Sequence, residues 1–368
     1  MKLIYIANIR MPTEKAHGIQ IMKMCEAFAE QGVAVDLLVP RRFNNLQTDP
    51  FEFYKVRKNF KIIWIPGPDW VDIHKIGFFI STASFLIFTR IYLLFKKYDI
   101  IYTRESLTGI LFHNFILEVH AMPHRAGQWF LRMLRRAGLI VVITHSLEKE
   151  ILRLGIAPEK ILVLPDSVDL NEFAINISKK EARQKLGLPM NKKIILYTGS
   201  FLFYDWKGAD SLIEAADKLG EDYLVILIGA HPHELAKIQE RYPKTKARIL
   251  PFLKRENIPF YLKAADVLVI PNKAGDPISE KYTSPLKLFE YMACQRPIVA
   301  SDLPSLREMI GEKEAFFFQA GDSANLTKAI EAVAGNQSLA ESLSANAYAK
   351  VQNYTWEKRV VKIIKRWN

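Results

Sequence analysis

Short runs made almost wholly of apolar residues recur along this chain, each followed by a polar loop and then by a stretch with helical spacing. The first is Leu3-Ile4-Tyr5-Ile6; over residues 19–30, Ile19, Met22, Met24 and Phe28 then fall at helical intervals, and Gly32 supplies the stop. Residues 33–39 are the next apolar run. A strand without polar alternation is buried on both faces, and a strand–helix–strand unit brings the chain back parallel to itself. This opening therefore predicts a doubly wound parallel α/β sheet. The signal returns at 100–103, 115–119 and 139–144, and starts afresh at 193–198, 223–229, 248–252 and 267–270. At 368 residues the chain is long enough for two domains, each with its own core. The reading places the first at 1–172 and the second at 173–353, with 354–368 as a basic terminal helix.

A formal net charge of +12 calls for an anionic partner: nucleic acid, an acidic membrane surface, or a phosphorylated substrate. No short repeat, low-complexity run or nucleic-acid motif accompanies the charge. Cys25 and Cys294 stand far apart, which excludes a zinc spacing and suits a reducing, cytoplasmic compartment. The N-terminus lacks the long apolar region of a signal peptide. The most hydrophobic run is 76–95, which Arg90 interrupts and Ser81, Thr82 and Ser84 dilute below the ~20 apolar residues of a spanning helix. A helix packed on a parallel sheet is the expectation, and Lys75, Lys96 and Lys97 leave open a peripheral contact with an anionic inner leaflet.

Residues 279–302 are the most informative stretch. Pro285 suits a first helical turn with Ser284 before it as N-cap, and Leu286, Phe289 and Met292 give the helix an apolar face. Lys287 and Glu290 lie three apart beside that face. A lysine in the first turn adds a full charge to the helix dipole, so a phosphate could bind there. Glu290 would be free to accept hydrogen bonds from a ribose. A helix with one surface ion pair explains the same residues.

This stretch, with Pro297-Ile298-Val299-Ala300-Ser301-Asp302 after it, resembles the donor-binding motif of glycosyltransferases of family four. Those are retaining enzymes of GT-B fold, with two Rossmann-like domains facing a cleft. The resemblance implies a nucleotide diphosphate sugar donor on the C-terminal domain, a saccharide or lipid-linked acceptor on the N-terminal one, and a tail that crosses back to it. It implies neither metal nor bound cofactor, and no nucleic acid. Glu290 matches the ribose glutamate. Tyr282 replaces the glutamate usual eight residues earlier, while Glu280 is out of register. Gly18 matches a glycine beneath the donor diphosphate, though a plain turn explains it too. His120, after the 115–119 strand, matches a histidine beside the reacting sugar, although a lone histidine is as readily structural; His113, His124 and His145 have no comparable placement. Gly199, Lys207 and Gly208 match a diphosphate-binding segment in which Ser200 replaces an arginine, and a solvated loop charge is the plainer account of Lys207. Phe252 and Leu253 fall where backbone groups meet the base. Pro165-Asp166 matches the turn leading to the interdomain linker, with Ser167 where glycine is usual. Arg104 ends a strand where open sheets bind ligands, and is a candidate for an anionic group of the acceptor or donor, or a partner of Glu105 or another acid nearby.

The expected reaction is sugar transfer to an acceptor hydroxyl with retention, in cell-envelope polysaccharide or glycolipid assembly, at the inner face of the membrane. His120, Lys207 and Lys287 are the expected catalytic residues, and Gly18, Gly199, Phe252, Leu253, Tyr282, Ser284, Pro285, Leu286 and Glu290 the donor-binding set. Fixed cations and a helix start would neutralise the leaving diphosphate, and no Asp-x-Asp metal pair occurs. With no carboxylate nucleophile in place, front-face attack follows. The rivals are another enzyme of this architecture, such as a nucleotide-sugar epimerase or a phosphorylase, and a non-catalytic carbohydrate-binding or membrane-associated descendant.

Overall fold

The computed structural model describes residues 1–71, 73, 75–123, 127–200 and 204–368, without the side chains of Lys75, Ser106, Pro232 and His233; His124 lies outside the described residues. The chain forms two compact units, Met1–Leu164 with Trp356–Asn368, and Pro165–Thr355.

In the first unit, β1 (Lys2–Ile6), β2 (Ala34–Pro40), β3 (Lys61–Ile65), β4 (Ile100–Thr103), β5 (Ile116–Val119), β6 (Leu139–Val142) and β7 (Ile161–Val163) pair in the order β3-β2-β1-β4-β5-β6-β7. Every pairing is parallel, and central β1 sets Leu3 opposite Val35 on one side and Ile100 on the other. Continuous apolar runs make the central strands. β3 went unread although Ile62-Ile63-Trp64-Ile65 is an apolar run like that of β1; as an edge strand it leaves most of its residues half-buried or exposed. The first helix, Ala16–Glu30, begins before its apolar periodicity does.

The second unit holds β8 (Lys193–Thr198), β9 (Tyr223–Ala230), β10 (Arg248–Pro251), β11 (Val267–Ile270), β12 (Ile298–Ser301) and β13 (Phe316–Phe318), in the order β10-β9-β8-β11-β12-β13, again all parallel. Successive strand residues point to opposite faces. Ile194, Leu196, Ile226 and Leu268 thus pack with Leu288, Phe289 and Met292 on one face, and Ile195, Tyr197, Leu227 and Val269 with Leu212 and Leu326 on the other.

The unit boundary differs from the expected one at residue 172. Segment 165–172 belongs to the second unit: Asp166 N–H donates to Ser284 Oγ at 2.8 Å and Val168 N–H to the Tyr354 carbonyl at 2.9 Å. The terminal helix Trp356–Trp367 packs in the first unit against Ala16–Glu30, burying Trp356, Arg359, Val360 and Ile363. The 76–95 segment is a helix, Lys75–Leu94, and it packs against β3 as expected, but with one face only: its large apolar side chains are mostly exposed.

Gly208, between Lys207 and the helix Ala209–Lys218, has φ +65°, and a Cβ there would lie 1.8 Å from the Pro271 carbonyl oxygen. Backbone blocks backbone here, so Gly208→Ala is expected to lower stability by about 2 kcal/mol or more, measured by urea denaturation.

Candidate functional site

Both sheets reverse strand order once, between β1 and β4 and between β8 and β11, and such reversals open a crevice at the carboxyl ends of the strands. In the second unit β8 runs into Gly199, whose φ is +140° and whose N–H bonds the Ile228 carbonyl at 2.8 Å. A Cβ on Gly199 would stand 2.8 Å from Lys287 Nζ, so only glycine lets that ammonium lie against the backbone. Lys287 comes from the first turn of the helix Leu286–Ala293, and its Nζ sits 3.9 Å from the Tyr197 ring centroid. The ammonium is buried, with no hydrogen-bond partner among the described residues. Burial, then the nearby charge of Lys207, pushes it well below the usual lysine range, against a smaller opposing pull from Glu290.

Lys207 donates to Ser200 Oγ at 2.8 Å and lies 4.5 Å from the Tyr204 ring centroid. Burial lowers it to about 8. Two desolvated lysines thus converge at the Gly199-Ser200 turn.

The helix start differs from the sequence reading. Pro285 is the N-cap residue, in extended conformation, and no side chain caps the first turn. Ser284 does not cap: its hydroxyl accepts from Asp166 N–H and donates to Met309 Sδ at 3.4 Å, tying the start of the second unit to this loop. Among the described residues Lys287 forms no ion pair with Glu290. Glu290 Oε1 instead accepts from Arg255 Nη1 at 3.2 Å, while Arg255 Nε lies 2.6 Å from Glu172 Oε1. Glu290 is therefore not free, as the sequence reading had it; it is one end of a buried carboxylate–guanidinium–carboxylate triad. Burial raises its carboxyl, and Arg255 pulls against that. Arg255 was missed, although a cation shortly after β10, beyond Phe252 and Leu253, was a readable signal. Phe252 is largely exposed, with its N–H on the Ala230 carbonyl, and Leu253 is half-buried. Half-buried Tyr282 ends the short helix Pro277–Lys281, and Glu280 accepts from Gly275 N–H at 2.7 Å, a loop closure.

In the first unit the centre is Glu118, a fully buried carboxylate in β5. Its Oε1 accepts from Gln20 Nε2 at 2.6 Å, His120 Nε2 at 2.7 Å and Arg359 Nη2 at 2.9 Å, and its Oε2 from the Tyr102 hydroxyl. Burial pushes this carboxyl up; the charges of Arg359, His120 and Arg104 and the His120 hydrogen bond outweigh that and hold it below the usual range. Arg104 Nη1 donates to Gln20 Oε1 at 2.9 Å, and its charge also acts on Glu105 and Glu118, the acids nearby. Arg104, Glu118, His120 and Phe130 help line a pocket of about 200 Å³. Nearby His17 is lowered to about 4 by burial and then by the charges of Arg104, Lys15 and His120, so it is neutral at pH 7.

Gly18 is the glycine expected beneath the donor diphosphate. It lies within the first turn of Ala16–Glu30, where a Cβ would stand 2.1 Å from Tyr54 Oη, so this glycine makes room for Tyr54, whose hydroxyl binds both the N–H and the carbonyl of Thr13.

Glu118 and Arg359 escaped the sequence reading, yet a lone glutamate in an apolar strand announces a buried partner. Arg359→Met would leave that carboxylate underpaired at a cost of about 3–5 kcal/mol at neutral pH. A carboxyl held low by its partners contributes stability above the ordinary carboxylate range and loses it as the pH falls. The difference between wild type and variant should therefore narrow from about pH 7 to about pH 3, followed by denaturant titration at each pH.

Residues 18–172 match the family model described as Glycosyltransferase Family 4, and residues 178–350 that described as Glycosyl transferases group 1. The chain is 26% identical over 338 residues to the UDP-Gal:alpha-D-GlcNAc-diphosphoundecaprenol alpha-1,3-galactosyltransferase of Escherichia coli, covering 81% of this chain and 85% of that protein. It is 23% identical over 232 residues to the D-inositol 3-phosphate glycosyltransferase of Xylanimonas cellulosilytica; that match takes in 59% of this chain and 54% of the relative, about half its length. Among solved structures, sucrose-phosphate synthase from Thermosynechococcus elongatus matches with a TM-score of 0.78 at 20% identity over 99% of this chain and 97% of that one, which is a likeness of fold.

Proposed function

We propose, on the premise that this chain belongs to glycosyltransferase family four and has the GT-B fold, that it transfers a sugar from a nucleoside diphosphate sugar to an acceptor hydroxyl. The observation that carries this reading is the Lys287 ammonium, buried without a hydrogen-bond partner among the described residues and beside a second desolvated lysine. Burying a charge without a counter-charge is costly, and a site that does so is built to be completed by an anion. A diphosphate has the charge and the oxygens for both ammonium groups, and the uncapped start of Leu286–Ala293 adds N–H donors on the same side.

In this reading Gly199 and the start at Ser284, Pro285 and Leu286 seat the diphosphate, with Lys207 and Lys287 on its oxygens. The backbone at Phe252 and Leu253 meets the base, and the Glu290 carboxylate, oriented by Arg255, reaches the ribose. Tyr282 stands toward the donor sugar. The bond from the anomeric carbon to the diphosphate oxygen breaks as the acceptor oxygen bonds the same face of that carbon, and the acceptor proton passes to the departing oxygen. Configuration is retained. The lysines and the helix start stabilise charge that grows only as the bond breaks, so no metal is needed for that task. His120, oriented by Glu118, and Arg104 would position the reacting sugar and the acceptor. The name of the galactosyltransferase relative, with its UDP-Gal donor and diphosphoundecaprenol-linked acceptor, supports a lipid-linked saccharide acceptor in cell-envelope polysaccharide or glycolipid assembly at the inner membrane face.

Thermal melting with UDP, GDP, ADP and dTDP tests the reading, because a ligand that binds only the folded state raises the Tm. One diphosphate is expected to stabilise the wild type, and Lys287→Met to abolish that shift while its own unliganded Tm stays equal or rises, since a buried amine without a hydrogen-bond partner has been replaced by an apolar side chain. If no diphosphate shifts the wild type, or the variant still responds fully, the donor site is misassigned.

Lys207, at about 8 in the free protein, yields a second expectation. Above that pH the folded protein holds fewer protons than the unfolded chain, so unliganded stability rises with pH toward the ordinary lysine range. A bound diphosphate restores the proton, so binding takes protons up and diphosphate affinity falls as the pH rises above about 8. Calorimetry in buffers of different ionisation enthalpy measures this uptake.

A further inference from the structure

The helix Lys75–Leu94 has its polarity inverted. The face turned to the protein carries Gly77, Ser81, Thr82 and Thr89 beside Phe85 and Leu93, all buried. Two of its polar groups are used: Ser81 Oγ accepts from Trp70 N–H at 2.9 Å and Thr82 Oγ1 from Asn8 Nδ2 at 3.2 Å, while Thr89 Oγ1 is buried without a partner among the described residues, and a Cβ on Gly77 would stand 2.2 Å from the Trp70 carbonyl oxygen. The opposite face exposes Ile76 (66%), Phe79 (65%), Ile87 (52%), Ile91 (46%) and Leu94 (62%), and Phe95 beyond it is 81% exposed. These positions recur at helical intervals, so they form one stripe. Scattered apolar residues on a surface need no explanation, but a continuous stripe of this size marks something that covers it.

From this geometry we propose that the helix Lys75–Leu94 docks the protein on an anionic lipid surface, lying along it with the Ile76–Phe79–Ile87–Leu94 stripe in the acyl boundary. Charge selects this occupant. No acidic residue occurs between Asp72 and Asp99, while exposed Lys96 and Lys97 close the stripe and Arg90 sits on its flank with its guanidinium 5.2 Å from the Phe112 ring centroid. Lysines beside an apolar helical face are what lipid headgroups of negative charge attract. The helix is apolar and long enough to cross a bilayer, but only 39% of its apolar window is buried in the protein, and the inward contacts anchor it along its length. Lying on the surface keeps them; crossing would strip them. The inference goes beyond the donor-site reading and does not depend on it.

Co-sedimentation with vesicles of phosphatidylcholine alone and of phosphatidylcholine with phosphatidylglycerol tests the proposal. The wild type is expected to bind the anionic vesicles, and less well as salt is raised. Phe79→Asp combined with Ile87→Asp changes two exposed side chains. It should weaken binding by at least about tenfold while the Tm and the diphosphate-induced shift remain those of the wild type. Lys96→Glu with Lys97→Glu should remove the preference for anionic vesicles. Failure of the wild type to bind, or equal binding by the aspartate pair, overturns the proposal. So does a wild-type dimer in sedimentation velocity that the aspartate pair dissolves without vesicle binding in either form, which would make the stripe a contact between copies. A lost diphosphate shift in the wild type bears on the donor site alone, so the two readings fail separately.

Discussion

In each parallel sheet one reversal of strand order decides where everything else can go, because the loops leaving the two strands at the reversal run apart and leave backbone groups facing open space. In the second unit Lys287 and Lys207 both reach the Gly199-Ser200 turn that follows β8, with Gly199 held at a φ that only glycine tolerates well. A β-carbon at residue 199 would displace the very ammonium that makes the place attractive to an anion. Sheet topology, a missing side chain and a helix start act as one arrangement.

The two units treat buried charge in opposite ways. Glu118 is fully buried, but three donors meet one of its oxygens and a tyrosine hydroxyl meets the other, so its charge is settled within the fold. Arg255 between Glu172 and Glu290 is a second settled cluster. Lys287 is the exception, with an aromatic face and no hydrogen-bond partner among the described residues. Low dielectric strengthens a satisfied network and penalises an unsatisfied group by the same physics. The settled clusters hold their side chains in fixed orientations, and in the proposed reading a diphosphate completes the unsettled lysine.

Much of the fold was legible because apolar strands in the middle of parallel sheets lack alternation, and such runs stand out in a chain that is otherwise amphipathic. The edge strand Lys61–Ile65 was missed although Ile62-Ile63-Trp64-Ile65 is an apolar run, because irregular, mixed sequence surrounds it. Residues near the carboxyl ends of strands were found for the same topological reason: Arg104, His120 and Gly199 all follow strands directly. Misreadings cluster where two side chains compete for one partner. Lys287 and Glu290 sit at ion-pair spacing, yet the carboxylate turns to Arg255, which is distant in sequence and better placed in space. At Gly18 the room that glycine leaves is used by Tyr54.

Sequence alone determined that this chain would build two parallel α/β sheets and that Lys287 would stand at a helix start between β11 and β12, because strand burial and helical spacing are local, periodic properties. It also determined the strongly apolar helix after residue 74. Tertiary structure decided which face of that helix looks outward, that Arg255 would bridge Glu172 and Glu290, and that Arg359, near the end of the chain, would reach Glu118 in its first half. Those outcomes depend on which distant groups share a low-dielectric space. Charge–charge and hydrogen-bond energies there are set by distances that folding creates and that no spacing along the chain records.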